Sequence, residues 1–322
     1  MGRTYSVNGY INAILRRTSP TLLVEGNTDK EAMHRLVAER TPSPNRHFNI
    51  DNSAIFDDRS LYGQGAKAKV LEVTAEVQRL TPQFKKLSSS FAFLIDREWD
   101  GLPSDPRSAV EDWTQPIQSP TAFVTMGHSI ENYNFQPDCF LDYLRYGFAE
   151  HFSGEVEGSV RRHFPGAVAL AGAITCQARF SCCLARLSGL ISSKHIELSR
   201  NERFYLTYDA ILPISTRVGF DASPFVADVN AAVDSHWSDL SNNPNSRWVL
   251  HGHIGSEILW ACVGLVSTVA GVPEKIGEEI AKGFQAERRR CCFTWLSRVP
   301  QCDKEPLDQA VDWLLTPQPA DS

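Results

Sequence analysis

The sequence predicts an α/β fold: a mostly parallel sheet flanked by helices, followed by a mainly helical domain. Three observations carry that prediction. Short apolar runs at TLLV, FAFLI and TAFVTM stop abruptly at polar residues, as strands buried on both faces do. Between them lie segments with helical apolar spacing. After Pro137 the strand-like runs cease and helical segments take over.

In chain order, Tyr10, Ile11, Ile14 and Leu15 are spaced for a short amphipathic helix, which Ser19 and Pro20 end. TLLVEG is the first strand, with Gly26 expected to supply the sharp turn into a helix. Thr28 or Asn27 would cap that helix, with Glu31 completing a capping box. The helix DKEAMHRLVAER would bury Ala32, Met33, Leu36 and Val37 and end before the prolines of TPSPN. A strand is expected within 48–55, then a helix over GAKAKVLEVTAEVQRL, then the strand FAFLID. A linker runs to Pro120, and TAFVTM leads directly into GHSIENYNF. Strand alternating with helix argues a parallel sheet with right-handed crossovers. The division predicted is a domain over 1–137, with its core at 18–137, and a mainly helical domain over 138–322 for partner binding or dimerisation.

Composition narrows the class. With 322 residues, 42% hydrophobic and 22% charged, the chain has the balance of a globular protein with a sizeable core. A net charge of −6 gives no global attraction to nucleic acid, so a polyanionic substrate would need local cations or metal ions. The eight cysteines, at 139, 176, 182, 183, 262, 291, 292 and 302, include no CxxC and read as reduced, buried thiols of a cytoplasmic protein. No apolar run suggests a membrane span, and MGRTYS meets only a loose acylation pattern.

The chemistry is carried by acids. Glu25 closes the first strand, Asp96 closes FAFLI, Glu98 follows two positions on and would share its face if the backbone stayed extended, and Glu131 lies just past TAFVTM. A single acid after a strand is usually a helix cap or a solvated loop residue, and Asp29 and Asp100 are read that way. Recurrence at three strand ends points to more, because the carboxyl ends of parallel strands line one crevice. Carboxylates gathered there need a divalent cation, and oxygen ligands without His or Cys select magnesium or manganese. Lys67 and Lys69 at a helix start, and Arg97 between two acids, are candidate phosphate contacts. Arg288, Arg289, Arg290 and Arg298 form a second basic run, which most often is a solvated face. His251 and His253 of HGH fall short of a zinc motif.

LLVEGNTDKEAMHRL, followed by FLIDREWDG and HSIENYNF, resembles the Toprim fold of topoisomerases, DnaG-type primases and OLD-class nucleases. The likeness runs closest to the AriB-type Toprim effectors of bacterial PARIS anti-phage loci. It covers about 18–137, with a weaker echo at RWVLHGHIG. The resemblance places the glutamate of the first motif on Glu25, the acidic pair of the second on Asp96 and Glu98, and a later acid on Glu131. Glu98 departs from that pattern, which has Asp there. On this resemblance the four carboxylates would hold two divalent ions, magnesium or manganese, with Glu25 as general base or acid or as a ligand that moves between those roles. It further implies an endonuclease acting on RNA, tRNA in particular, restrained by an AriA-like ABC-type ATPase and working as a homodimer. Alternatives are a regulatory or partner-binding subunit with a degenerate Toprim site, a Toprim DNA nuclease, and a haloacid-dehalogenase-like phosphatase; the last leaves Glu25 unexplained.

Overall fold

The computed structural model describes residues 4–41, 47–103, 105–208, 221–282, 285–300 and 303–316. The chain divides into two compact units: Met1–Arg97 with Gln115–Met126 and Leu296–Ser322, and Glu98–Thr114 with Gly127–Trp295. The chain thus crosses between them more often than a single boundary at Pro137 allows, and its C-terminal segment belongs with the N-terminal unit.

The first unit contains α1 (Val7–Arg16), β1 (Thr21–Val24), α2 (Asn27–Arg40), β2 (Asn49–Asn52), α3 (Ala66–Leu80), α4 (Lys86–Ser90) and β3 (Phe91–Ile95). The four strands, with β4 at Ala122–Val124, form one parallel sheet in the order β2-β1-β3-β4. Thr21 is in register with both Asn49 and Phe91, and Phe93 with Ala122. Period-two alternation therefore sorts the central side chains. Leu23, Phe91, Phe93 and Ile95 join Tyr10, Ile11 and Ile14 of α1 and Val70, Val73 and Val77 of α3 in one core. The expected strands and helices of this unit all form, and burying the fourteen-residue core supplies its main driving force. One further helix, at Leu307–Leu315 near the C-terminus, packs against α2, β1 and β4.

The second unit begins with α5 (Pro106–Glu111) and continues with α6 (Pro137–Gly147), α7 (Gly154–Phe180), α8 (Leu184–Leu187), β5 (Ile196–Leu198), β6 (Phe204–Leu206), α9 (Ala222–Asn242), α10 (Gly252–Val269), α11 (Glu274–Lys282) and α12 (Gln285–Arg298), whose last turn passes into the first unit; Leu307–Leu315 is then α13. The predicted helical character holds, with one addition: β5 and β6 pair antiparallel. Three-residue strands leave too little periodicity to read. α7 continues through Pro165, spans 27 residues and packs against α9 and α10. α10 and α11 approach so closely that a Cβ on Gly264 would lie 2.4 Å from the carbonyl oxygen of Gly277.

By length and composition α10 could cross a membrane, with a mean hydropathy of 1.2, the one such helix among the described residues. It is 67% buried within the protein, which is what a core helix requires. Of the cysteines, 139, 176, 183, 262 and 292 are buried, but Cys182 is exposed and Cys291 half-buried; Cys302 lies outside the described residues.

Candidate functional site

In the first unit β1 and β3 are the two central strands, so their carboxyl ends are neighbours and deliver Glu25 and Asp96 side by side. The structure brings these two acids together. The Asp96 N–H donates to Glu25 Oε1 at 2.8 Å, and Glu25 is 9% exposed. The main chain of Glu25 is fixed as well: its carbonyl accepts from Ser53 Oγ at 2.7 Å and from the Ser53 N–H at 3.3 Å. A glutamate whose backbone and carboxylate are both held by neighbouring strands pays little ordering entropy when it acts.

Two local expectations are corrected here. The residue before α2 is Gly26, in an extended conformation at φ −127, so glycine is not required there by a left-handed turn. The cap is closed by Asp29, whose Oδ2 accepts the Gly26 N–H at 2.8 Å, rather than by Thr28 or Asn27 with Glu31. Asp29 is thus structural.

Arg97 is 4% exposed. Its N–H donates to Thr125 Oγ1 at 2.9 Å and its Nη1 reaches the Met126 carbonyl at 3.4 Å. Buried among these groups, Arg97 braces the end of β3 against the segment that follows β4. Lys67 stands in the first turn of α3, half-buried, and donates through Nζ to the Arg97 carbonyl at 3.2 Å. That bond holds its ammonium beside the residue that follows Asp96. Lys69, also half-buried, lies two residues on.

Glu98 and Glu131 belong to the second unit. Glu98 is exposed and adopts φ 53, so the extended backbone that would set it on the face of Asp96 is absent. The strand ends at Ile95, and the Glu98 N–H turns to the His128 carbonyl at 2.8 Å. This bond places Glu98 next to the loop that carries Glu131. Glu131 sits in a 3-10 turn, Ile130–Asn134, accepts from Ser129 Oγ at 2.6 Å and lies 3.7 Å from His253 Nδ1.

Sequence reasoning missed Asn132, the fully buried pivot of this turn. Its Oδ1 accepts the Ser129 N–H at 2.8 Å, and its Nδ2 donates to the carbonyls of Arg247 at 2.6 Å and Leu250 at 2.9 Å. The oxygen of this buried amide thus closes its own turn, and both N–H groups tie HSIEN to RWVL. The sequence signal was the recurrence of polar residues in IENYN, read only for its acid.

His251 caps α10, its Nδ1 accepting from the Ile254 N–H at 3.4 Å, and its ring lies 4.5 Å from that of His128. Burial first, and then the neighbouring charge of His253, push its pKa down to about 4 against the opposing pull of Glu131. A helix N-terminus disfavours positive charge in the same direction. His251 is accordingly a neutral cap. Arg288 of the basic run is also withdrawn from any polyanion surface: it is 9% exposed, stacks 4.3 Å over Trp260 and donates to the Ile280 and Ala281 carbonyls.

Among the described residues no group of three or more His, Cys, Asp and Glu side chains stands ready to enclose a metal ion. Glu25 meets the main chain of Asp96, and the carboxylates of both residues are hard oxygen donors, the kind that suits magnesium. No protein-family model matches the chain, and no curated protein matches it significantly.

Proposed function

We propose that the chain is a magnesium-dependent Toprim-type endonuclease that cleaves RNA, tRNA in particular, as a cytoplasmic effector of anti-phage defence. What supports the reading is one juxtaposition: Glu25 and Asp96 at adjacent carboxyl ends of the central parallel strands, with the Asp96 N–H on Glu25 Oε1. Glu25 and Asp96 would hold the ion. When bound, it would polarise a phosphate oxygen and acidify a water. Glu25, kept in orientation by the Asp96 N–H, would accept the proton of the attacking water. Lys67, beside the end of β3, would face the phosphate charge. Glu98 and Glu131 enter this proposal, as further carboxylates, through the resemblance of the motifs alone. The ABC-type ATPase partner and the homodimer belong to this same proposal and rest on the resemblance of the motifs.

The test is cleavage of labelled tRNA and of DNA by the purified chain and by Glu25→Gln, each with and without magnesium. The expected outcome is magnesium-dependent cleavage of tRNA, lost by at least 100-fold in the variant, whose melting temperature stays near wild type. A fully active Glu25→Gln overturns the reading. Cleavage of DNA alone would redirect it to a DNA nuclease. The exposed, left-handed Glu98 favours a second reading, a regulatory subunit with a degenerate site. A chain that takes up no magnesium in calorimetric titration and cleaves nothing would establish that one.

A further inference from the structure

A cleft of about 380 Å³ runs along the outer side of α1, lined by Tyr5, Gly9, Asn12, Ala13, Arg16 and Arg17. It lies in the first unit but apart from the acidic edge of the sheet. Arg17 donates through Nη1 to Thr21, the first residue of β1, whereas Glu25 follows the last. Its size is within the range of small-ligand sites.

The lining has a consistent chemistry. Gly9 and Ala13, one helical turn apart, form a floor without bulk. A Cβ at position 9 would press on Ser6 Oγ at 3.1 Å, the capping hydroxyl that accepts the Gly9 N–H, so glycine here spares the helix cap as well as leaving the floor without bulk. Around that floor stand donors: the guanidinium groups of Arg16 and Arg17, the amide of Asn12 and the phenol of Tyr5. Among the described residues no carboxylate lines the cleft.

The two arginines differ in role. Arg17 is anchored, with Nη1 2.6 Å from Asp51 Oδ2 and its guanidinium carbon 5.7 Å from the centre of the Tyr10 ring. Its charge is offset, and its remaining N–H groups are held in a fixed orientation. Arg16 is exposed and has no ion-pair partner among the described residues, so it brings net positive charge to the rim. Tyr5 is fixed by main-chain bonds on both sides, its N–H to the Ile55 carbonyl at 2.9 Å and its own carbonyl from the Asp57 N–H at 3.0 Å. The edge of the Tyr10 ring braces its ring at 5.8 Å. A rigid aromatic ring beside a cationic rim matches a ligand that carries both a planar ring and an anion.

We propose that this cleft binds a nucleotide phosphate, with the phosphate on Arg16 and the base against Tyr5. The inference is independent of the acidic pair and does not require the chain to be a nuclease. Its source is either a free mononucleotide or one nucleotide of a nucleic-acid strand, and the two share the chemistry that the cleft recognises.

Calorimetric titration of the full chain with 5′-AMP, 5′-UMP, adenosine, inorganic phosphate and a five-residue oligouridylate tests it. The expected result is binding of a mononucleotide or the oligonucleotide at least 10-fold tighter than adenosine or phosphate alone. Arg16→Gln, a surface change that leaves the core untouched, should weaken that binding at least 10-fold, and Ala13→Leu, which fills the floor, should abolish it. Mononucleotide binding identifies a free nucleotide as the ligand; binding of the oligonucleotide alone identifies a strand. Binding no tighter than that of adenosine, or unchanged in Arg16→Gln, overturns the proposal. Because the readout is binding, an inactive Glu25→Gln that still binds nucleotide separates this result from the fate of the nuclease reading.

Discussion

Asp308 and His251 are ionisable groups set into helical packing, one in each unit, and acid should act on them in opposite directions. Asp308, on α13 in the first unit, is 3% exposed and faces Arg40 Nη2 at 2.7 Å and Lys304 Nζ at 3.8 Å; Arg40 also pairs with Asp312. Burial outweighs those cations and raises its pKa to about 6, and burial lowers that of Lys304 in the same place. His251, in the second unit, is held neutral, its pKa lowered to about 4 by burial before any charge acts. Both environments penalise charge. The difference in sign comes from the group: an acid escapes the penalty by taking up a proton, a base by refusing one.

The sharpest way to separate the units is mechanical. Gly264→Ala would set a methyl carbon 2.4 Å from the Gly277 carbonyl oxygen and 2.9 Å from Ala281 Cβ, and the first of these contacts is with main chain that cannot swing aside. Overpacking of this kind should destabilise the second unit by about 3 kcal/mol. Hydrogen exchange checks it: peptides from α10 and α11 should lose protection while those from β1 and β3 keep theirs. Equal loss in both sets would mean that the two units unfold together.

Next in size is the response of His251 to acid. Its folded pKa, about 4, lies below its unfolded value near 6.5, so the unfolded chain binds the proton first. Stability is therefore full above pH 6.5 and falls as pH drops towards 4, by roughly 2–3 kcal/mol. His251→Asn retains a capping oxygen for the Ile254 N–H and has no proton to take up. Melting temperatures of the two proteins from pH 7 to pH 4 should converge or cross, the wild type losing more. Parallel curves would show that His251 is not the titrating group.

Much of the first unit was legible because the signals were redundant there. β1, β3 and β4 are short apolar runs, the long helices have a period of their own, and turn residues separate them, so local preference and tertiary fold agree; β2, NIDN, is the polar exception. Glu25 and Asp96 could be paired from sequence because parallel register on adjacent strands follows from alternation. What could not be read depends on the course of a few dihedrals or on distant chain. Glu98 turns away at φ 53, for which glutamate carries no signal. Asn132 finds its partners at Arg247 and Leu250, 115 and 118 residues away. α13 returns to the sheet from the far end of the chain, and nothing in LDQAVDWLL says which surface it will cover. The burial of Arg97 and Arg288 was hidden for a related reason, since a charged side chain is expected at the surface until its carbonyl partners are located.

The smallest effect is the one most able to break the comparison. With a folded pKa of about 6 against an unfolded value near 3.9, Asp308 keeps its proton in the folded chain while the unfolded chain releases it. Its contribution is thus fully present below pH 4 and is lost as pH rises through 6, by roughly 1–2 kcal/mol. Asp308→Asn has the shape of the protonated acid and no titration, so the stability of the wild type relative to this variant should fall between pH 4 and pH 6.5 and stay level above. A relative stability that stays level over that interval and falls only below pH 4 would mean that Arg40 and Lys304 hold the carboxylate charged in spite of its burial. In that case pairing, not desolvation, would govern the contact between α2 and α13, and both units would weaken in acid.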